Sequence, residues 1–268
     1  MMQILSGTAA ASAGERDAIT VSIVSHGQMA LMTPLLAQLQ RLSARIPLHL
    51  VVTLNLPEAV PAIEQTPRFR LTWLRNDRPL GFGANHNRAF AHCRTACFCV
   101  LNPDVRLEAG SLAILADVVA RRPGVAGPRV VSPRGTVEDS ARHVPSVWRL
   151  LRRWASGRFE AEYPTDQSEQ QVDWIAGMCM VFDSASFARV GGFDETFWLY
   201  CEDVDLCLRM HLAGLRVTWV QDAVVVHDAQ RASRRRWRYL AWHVESLIRL
   251  LCSPTYWRFR MKTRQACQ

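Results

Sequence analysis

The sequence predicts an α/β fold: a mostly parallel central sheet flanked by helices, with an amphipathic helical segment at the C-terminal end. Three observations predict it. Short runs rich in Val, Ile and Leu alternate with stretches of helical periodicity through the first half of the chain. Those runs stop at polar loops, as at Ser25-His26, Asn55, Asn76 and Asn102-Pro103-Asp104. From Trp237 onward, apolar residues recur at intervals of three and four.

The elements follow in order. Residues 1–18 are small and polar and read as a loose leader. Residues 19–24 are a β-branched run, the first strand. Positions 31, 32, 35, 36, 39 and 42 are apolar, the spacing of an amphipathic helix. Residues 48–54 and 69–74 are the second and third strands. The polar loop 76–83 leads into a helix over 85–94, and 97–101 is the fourth strand. A helix over 112–120 closes at Pro123-Gly124, and 125–131 reads as another strand. The stretch 134–169 is polar and irregular, with Trp148 and Trp154 interspersed, and reads as a variable insertion. Residues 173–182 are apolar again, and a short helix over 184–190 meets Gly191-Gly192. A helix over 201–213 carries acids in its first turn, where the helix dipole favours them, and Gly214 closes it. Residues 215–226 are strand-like and end at His227. Sheets of this kind bind ligands beyond the carboxyl ends of their strands, so the polar loops are expected to share one crevice.

Hydrophobic residues make up 49% of the 268 and charged residues 21%, which suits a globular core and not a disordered chain. The net charge of +8 favours anionic partners, and ten Arg and Lys residues fall between Arg231 and Arg264. No nucleic-acid-binding motif is recognised, and the acids at 202–205 would repel phosphate, so a nucleic acid is not an expected partner. Cys93, Cys97 and Cys99 lack paired zinc-ligand spacing, and Cys97, Cys99, Cys179 and Cys207 have the apolar neighbours of core thiols. Residues 1–14 lack a secretory pattern, and no apolar stretch approaches the roughly 18 residues that span a bilayer. The expected location is cytoplasmic, either soluble or peripheral on the inner face of the plasma membrane.

Four places carry chemistry. Leu101-Asn102-Pro103-Asp104 ends a strand in a carboxylate, the oxygen donor that Mg²⁺ and Mn²⁺ prefer; as a bare turn the same residues need no ligand. Glu202, Asp203 and Asp205 follow the aromatic run Phe197-Trp198-Leu199-Tyr200. Carboxylates beside aromatic walls suit a sugar, one taking a hydroxyl proton and one orienting the ring. His227 after a strand is either structural or, as neutral imidazole, a metal ligand. Gly81-Phe82-Gly83 precedes a helix whose N-terminus suits phosphate, but it lacks the full dinucleotide fingerprint, which excludes a nicotinamide site.

The ordered set is strand-Ser25-His26, Gly-Phe-Gly-Ala-Asn-x-Asn, Leu-Asn-Pro-Asp, Trp-x-x-Gly, Gly-Gly-Phe-Asp-Glu-x-Phe and Tyr-x-Glu-Asp-x-Asp-Leu-Cys-x-Arg. It resembles the family 2 inverting glycosyltransferases, the rhamnosyltransferase-like branch in particular, over roughly residues 20–249. The resemblance implies a GT-A fold with a Rossmann-like sheet over 19–230: a nucleotide-binding half over 19–131, an acceptor-binding half over 132–230, then a basic amphipathic tail over 231–268. It implies that Asp104 ends a DxD-type motif reduced to Asn102-Pro103-Asp104 and binds Mg²⁺ or Mn²⁺ with His227. Asp203 matches the general base and Glu202 orients the acceptor. Ser25, His26, Asn76, Gly83 and Asn87 fall on the donor side, and Trp174, Gly177 and Trp198 on the acceptor side. Many relatives end the second strand in Val-Asp-Asn; here Val52-Thr53-Leu54-Asn55 leaves Asn55 as the candidate for contact with the base.

The implied reaction is metal-dependent transfer of a sugar from a nucleotide-sugar donor to a glycan or lipid-linked acceptor in surface polysaccharide biosynthesis. The implied donor is dTDP-rhamnose, with UDP-sugars as alternatives. A nucleotide-sugar hydrolase and a non-catalytic nucleotide-sugar-binding protein are the competing readings. For the C-terminal helix, two readings stand: packing on the domain with a solvated basic face, or docking on an anionic membrane surface.

Overall fold

The computed structural model describes residues 18–146, 149, 162–227 and 237–266. The leader lies outside these residues apart from Ala18, as do Trp148, Trp154, Arg231 and Arg234 to Arg236. In chain order the described elements begin β1 (Ile19–Ser25), α1 (Met29–Leu42), β2 (Leu48–Leu54), β3 (Phe69–Arg75), α2 (Phe82–Phe90), β4 (Cys97–Leu101), β5 (Val105–Leu107), α3 (Ser111–Arg121) and β6 (Gly124–Val131). Then come β7 (Ala141–Arg142), β8 (Glu169–Gln171), β9 (Trp174–Ile175), β10 (Cys179–Asp183), α4 (Ser184–Arg189), α5 (Glu202–Leu212), β11 (Arg216–His227), α6 (Trp237–Cys252) and α7 (Pro254–Ala266).

One sheet runs β3-β2-β1-β4-β10-β6-β11-β5, with β8 also paired to β11. β3, β2, β1 and β4 are parallel neighbours; β10 enters antiparallel to β4 and β6, and β6 and β11 pair in parallel. Six of the nine strands therefore point one way. Every residue of β2 and β4 is buried, the signature of strands covered on both faces. One face packs against Leu35, Leu36 and Leu39 of α1 and Leu112, Leu115 and Val119 of α3. The other carries Phe98, Val125, Phe182 and Trp219 beneath Phe187 of α4 and Leu206 and Met210 of α5.

The expected strands stand within a residue or so of their places, and the differences have local causes. The helix expected over 85–94 is α2, which starts three residues earlier because the Phe82 N–H donates to the Trp198 carbonyl and the Asn85 amide donates to the Gly81 carbonyl. The 173–182 run is divided into β9 and β10 by a turn at 176–178. The described part of the insertion contains β7 and β8, and β7 pairs with β9. At the C-terminal end, Ser253 and Pro254 divide the helix in two. The Ser253 hydroxyl accepts from the Tyr256 N–H, and Pro254 at the first helical position needs no partner for the N–H it lacks.

Candidate active site

The carboxyl ends of β1, β2, β3, β4, β6 and β11 all lie at one edge of the sheet, because those six strands share a direction. β10 runs the other way, so its first residues reach the same edge, where Cys179 pairs with Leu101. The loops at Ser25, Asn55, Asn76 and Asn102 thus lie at one edge of the sheet, the place expected of a shared crevice, and the turn 176–178 lies at the same edge.

Strand pairing builds the first cluster. β5 pairs with β11 so that His227 stands opposite Val105, next in sequence to Asp104. His227 Nε2 lies 3.5 Å from Asp104 Oδ2, and His227 Nδ1 lies 3.2 Å from Glu138 Oε2. Burial alone would lower the His227 pKa. The hydrogen bonds and charges of Asp104, then Glu138, outweigh it and raise the pKa. Asp104 Oδ1 is buried with no hydrogen-bond partner. Among the described residues no group of three or more His, Cys, Asp or Glu could by itself hold a metal ion. Asp104 and His227 fit one whose remaining positions a ligand's oxygens fill: the orphaned carboxylate oxygen and an imidazole are suitable donors, and Glu138 would orient the imidazole.

The second cluster opens α5. Tyr200 and Cys201 hold φ of 74° and 65°, a left-handed pair without glycine just before Glu202 and Asp203. Such residues cost on the order of 1–3 kcal/mol each, and surrounding contacts must hold them. Here Ser246 of α6 donates to the Leu199 carbonyl, and the Tyr200 ring rests 4.8 Å from that of His243. Asp203 Oδ2 accepts from the Gly177 N–H at 3.0 Å and Oδ1 from the Val204 N–H at 2.8 Å. Burial raises the Asp203 pKa, while those two donors and the positive charge of Arg142 oppose the rise. Glu202 is almost wholly buried, with Oε2 unpartnered; burial, then the Asp203 charge, pushes its pKa well above the usual carboxylate range. Asp203 is therefore the more readily ionised of the pair and Glu202 the more readily protonated, the separation a base and a hydrogen-bond donor need. Asp205 has another task. It pairs with Arg209 at 2.7 Å, and Arg209 donates to the Val190 and Gly192 carbonyls.

Two adjacent residues join the clusters. The Gly177 N–H binds Asp203, and the Met178 carbonyl accepts from the Asn102 N–H at 2.9 Å.

The amides expected on the donor side are hydrogen-bonded within the protein. Asn55 is buried; its Oδ1 accepts from Asn76 and from the Leu80 N–H, and its Nδ2 donates to the Leu80 carbonyl and lies 3.1 Å from His26 Nδ1. Asn76 also donates to Asn85 and accepts from Arg88. Asn87 holds both the N–H and the carbonyl of Phe193. Ser25 is buried, and its hydroxyl accepts from the Gln28 N–H. Gly83 gives its open side to protein, since a Cβ there would lie 2.6 Å from Phe193 Cβ. These residues shape the loop, and the exposed ring of His26 faces outward from it.

Gly192 has φ +68°, and a Cβ on it would stand 2.4 Å from Asn87 Oδ1. Gly192→Ala is expected to destabilise the fold by about 1–3 kcal/mol, read as a fall in denaturant midpoint at unchanged slope.

Of the residues expected to face an acceptor, Trp174 is buried, donates to the His143 carbonyl, and carries the Arg142 guanidinium 5.2 Å from its ring centroid. Trp198 is 42% exposed beside Trp242 of α6, ring centroids 6.2 Å apart. Sequence reasoning missed Glu138 and Arg142. Each reaches the crevice only because the chain reverses, Glu138 after the turn 132–136 and Arg142 through the β7–β9 pair.

A family-wide sequence profile described as "Glycosyltransferase like family 2" matches residues 17–262. Over 222 residues the chain is 32% identical to N-acetylglucosaminyl-diphospho-decaprenol L-rhamnosyltransferase of Mycobacterium tuberculosis, covering 74% of this chain and 72% of that one. Over 184 residues it is 29% identical to rhamnosyltransferase WbbL of Escherichia coli, covering 64% and 70%. Its fold is similar to S. aureus TarS in complex with UDP-GlcNAc, with TM-score 0.58, 12% identity and coverage of 88% and 67%. It is also similar to mannosyltransferase PcManGT of Pyrobaculum calidifontis in complex with GDP-Man and Mn2+, with TM-score 0.56, 18% identity and coverage of 87% and 65%.

Proposed function

The chain belongs to the family 2-like glycosyltransferases and has their GT-A fold, and from that premise we propose that it moves rhamnose from dTDP-rhamnose onto a lipid-linked glycan acceptor, inverting the anomeric carbon. The observation that carries this reading is the Gly177-Met178 bridge. It ties the end of β4, with Asp104, to the start of α5, with Asp203, across one crevice. The names of the two rhamnosyltransferase relatives support the donor and the lipid-linked acceptor. The division of the chain at about residue 131 into donor and acceptor halves belongs to the same proposal, with 231–268 as a tail.

Asp104 and His227 would hold a divalent cation against the donor diphosphate. A cation bound there supplies Lewis-acid neutralisation of the charge that grows as the nucleotide leaves. Asp203, fixed by the Gly177 and Val204 N–H groups, takes the proton of the acceptor hydroxyl. The hydroxyl oxygen attacks the anomeric carbon from the face opposite the diphosphate, so the configuration inverts. Glu202, whose protonated form burial favours, would donate a hydrogen bond that orients the acceptor. Trp198 walls the acceptor side, and Arg142 above Trp174 sets the positive field at Asp203.

Thermal stabilisation by nucleotide sugars, with and without Mn²⁺, tests donor recognition, because a ligand that binds only the native state raises apparent stability. Product analysis with and without acceptor then separates transfer from hydrolysis. Stabilisation by dTDP-rhamnose that needs the cation is expected; free sugar as sole product would contradict transfer. Glu138→Gln keeps the size of the side chain but removes the charge facing His227 Nδ1. Mn²⁺ affinity is expected to fall about 10–100-fold, the usual effect of losing such an orienting group, measured by calorimetry on the unliganded protein.

A further inference from the structure

Among the described residues, six of the eight exposed large apolar side chains lie on the two C-terminal helices. Trp237, Leu240, Val244 and Ile248 recur at three and four residues and share one side of α6, with Trp237 87% exposed. The packed side is the opposite one, where Ser246 and Leu250 are buried. Trp257 and Met261 are exposed one turn apart on α7. A contiguous apolar stripe left open to water marks an interaction surface.

Charge says what covers it. Residues 231–268 hold ten basic and one acidic side chain, and residues 1–230 hold twenty-two basic and twenty-three acidic. The whole positive excess therefore belongs to the tail. Arg238 and Arg249 stand about a third of a turn from the middle of the stripe on α6, both on the same flank and both exposed. Exposed Trp and aliphatic side chains on one side, with arginines on the flank, fit the boundary of an anionic bilayer. The same charge repels a second copy of the tail. Among the described residues no helix is long and apolar enough to cross a membrane.

We propose that the outward side of α6, with Trp257 and Met261 of α7, docks flat on an anionic lipid bilayer and so holds the crevice beside a lipid-carried acceptor. The acceptor half of this statement rests on the reading above; the docking half does not. α6 is suited to the task because its inner side touches the loop before the acids, through Ser246 on the Leu199 carbonyl and Trp242 beside Trp198.

The test is co-sedimentation of the full chain with vesicles of equal phosphatidylglycerol and phosphatidylcholine, and with phosphatidylcholine alone, at low and high salt. The chain should partition to the anionic vesicles and be released by salt. The double variant Val244→Glu, Ile248→Glu should lose about tenfold or more of that partitioning, since two apolar side chains no longer leave water. Leu31→Glu, at an exposed apolar site on α1, should partition as the parent does. Equal binding to neutral vesicles, binding to neither, or an undiminished double variant would each overturn docking. So would light scattering that finds a dimer of the parent, a monomer of the double variant, and no vesicle binding. Stabilisation by dTDP-rhamnose with Mn²⁺ is read on the same samples. Its absence beside intact vesicle binding contradicts the donor reading and leaves docking standing.

Discussion

Asp203→Asn is expected to lower kcat by about 10²–10⁴-fold, the range general-base help supplies, with Mn²⁺-dependent donor binding unchanged. The variant keeps the size of the side chain, but an amide presents one acceptor oxygen where the carboxylate presents two, to the Gly177 and Val204 N–H groups. A loss of about 1 kcal/mol in stability is expected alongside, too little to unfold the chain. The pH profile separates the two effects. The folded-state pKa of Asp203 is raised by burial, so its ionised form accumulates as pH rises through a value above that of a free aspartate. The parent should lose activity as pH falls through that value, and the variant should lose that limb. Stability runs the other way: a raised carboxylate pKa contributes stability at low pH that is lost as pH rises through the folded-state value. The carboxylate proposed as the base thus opposes folding once it is ionised. Near-normal turnover in Asp203→Asn, or an unaltered acid limb, would remove Asp203 from the mechanism.

Asp104→Ala is expected to abolish metal-dependent donor binding, a fall of two orders of magnitude or more, roughly 3 kcal/mol. The small number of protein donors at the site is the reason to expect so large an effect. Without Asp104 the imidazole loses the carboxylate on its Nε2 side, and Glu138 remains on Nδ1. A cation would then meet one neutral nitrogen and no carboxylate. Calorimetric titration of the donor with and without Mn²⁺ reads the loss directly, and the metal-free baseline should be the same in parent and variant. Donor affinity that still responds to Mn²⁺ in the variant would place the cation elsewhere.

The parts of this arrangement that were legible in the sequence are those set by local periodicity. β1, β2 and β4 could be read because central parallel strands are largely apolar and buried, β3 at the sheet edge because Phe69, Leu71 and Trp73 alternate with polar residues, and the loops that end them because polarity changes abruptly there. Asp104, Asp203 and His227 are legible as residues in a motif; the shared direction of six strands brings Asp104 and His227 to one edge, and the Gly177 N–H holds Asp203 there. Long-range pairing was not legible. β10 enters antiparallel, which brings Gly177 and Met178 to the crevice, and nothing in residues 173–182 announces the direction of that strand. Glu138 and Arg142 sit in a stretch with no period at all, and only the reversal of the chain aims them at His227 and Asp203. The three acids of α5 look alike in sequence. Helix geometry alone separates Asp203, which faces the Gly177 N–H, from Asp205, which turns toward Arg209. The asparagines of 55, 76 and 87 look like ligand contacts in sequence, and their amides instead hold the loop and Phe193 in place.

One measurement bears on the central arrangement most directly: the anomeric configuration of the first product, followed by NMR during transfer from dTDP-rhamnose to a lipid-linked acceptor. With Asp203 activating the hydroxyl on the side away from the diphosphate at Asp104, the new glycosidic bond should have the configuration opposite to the donor's. A product that keeps the donor's configuration would mean that the two carboxylates do not face each other across the reacting carbon.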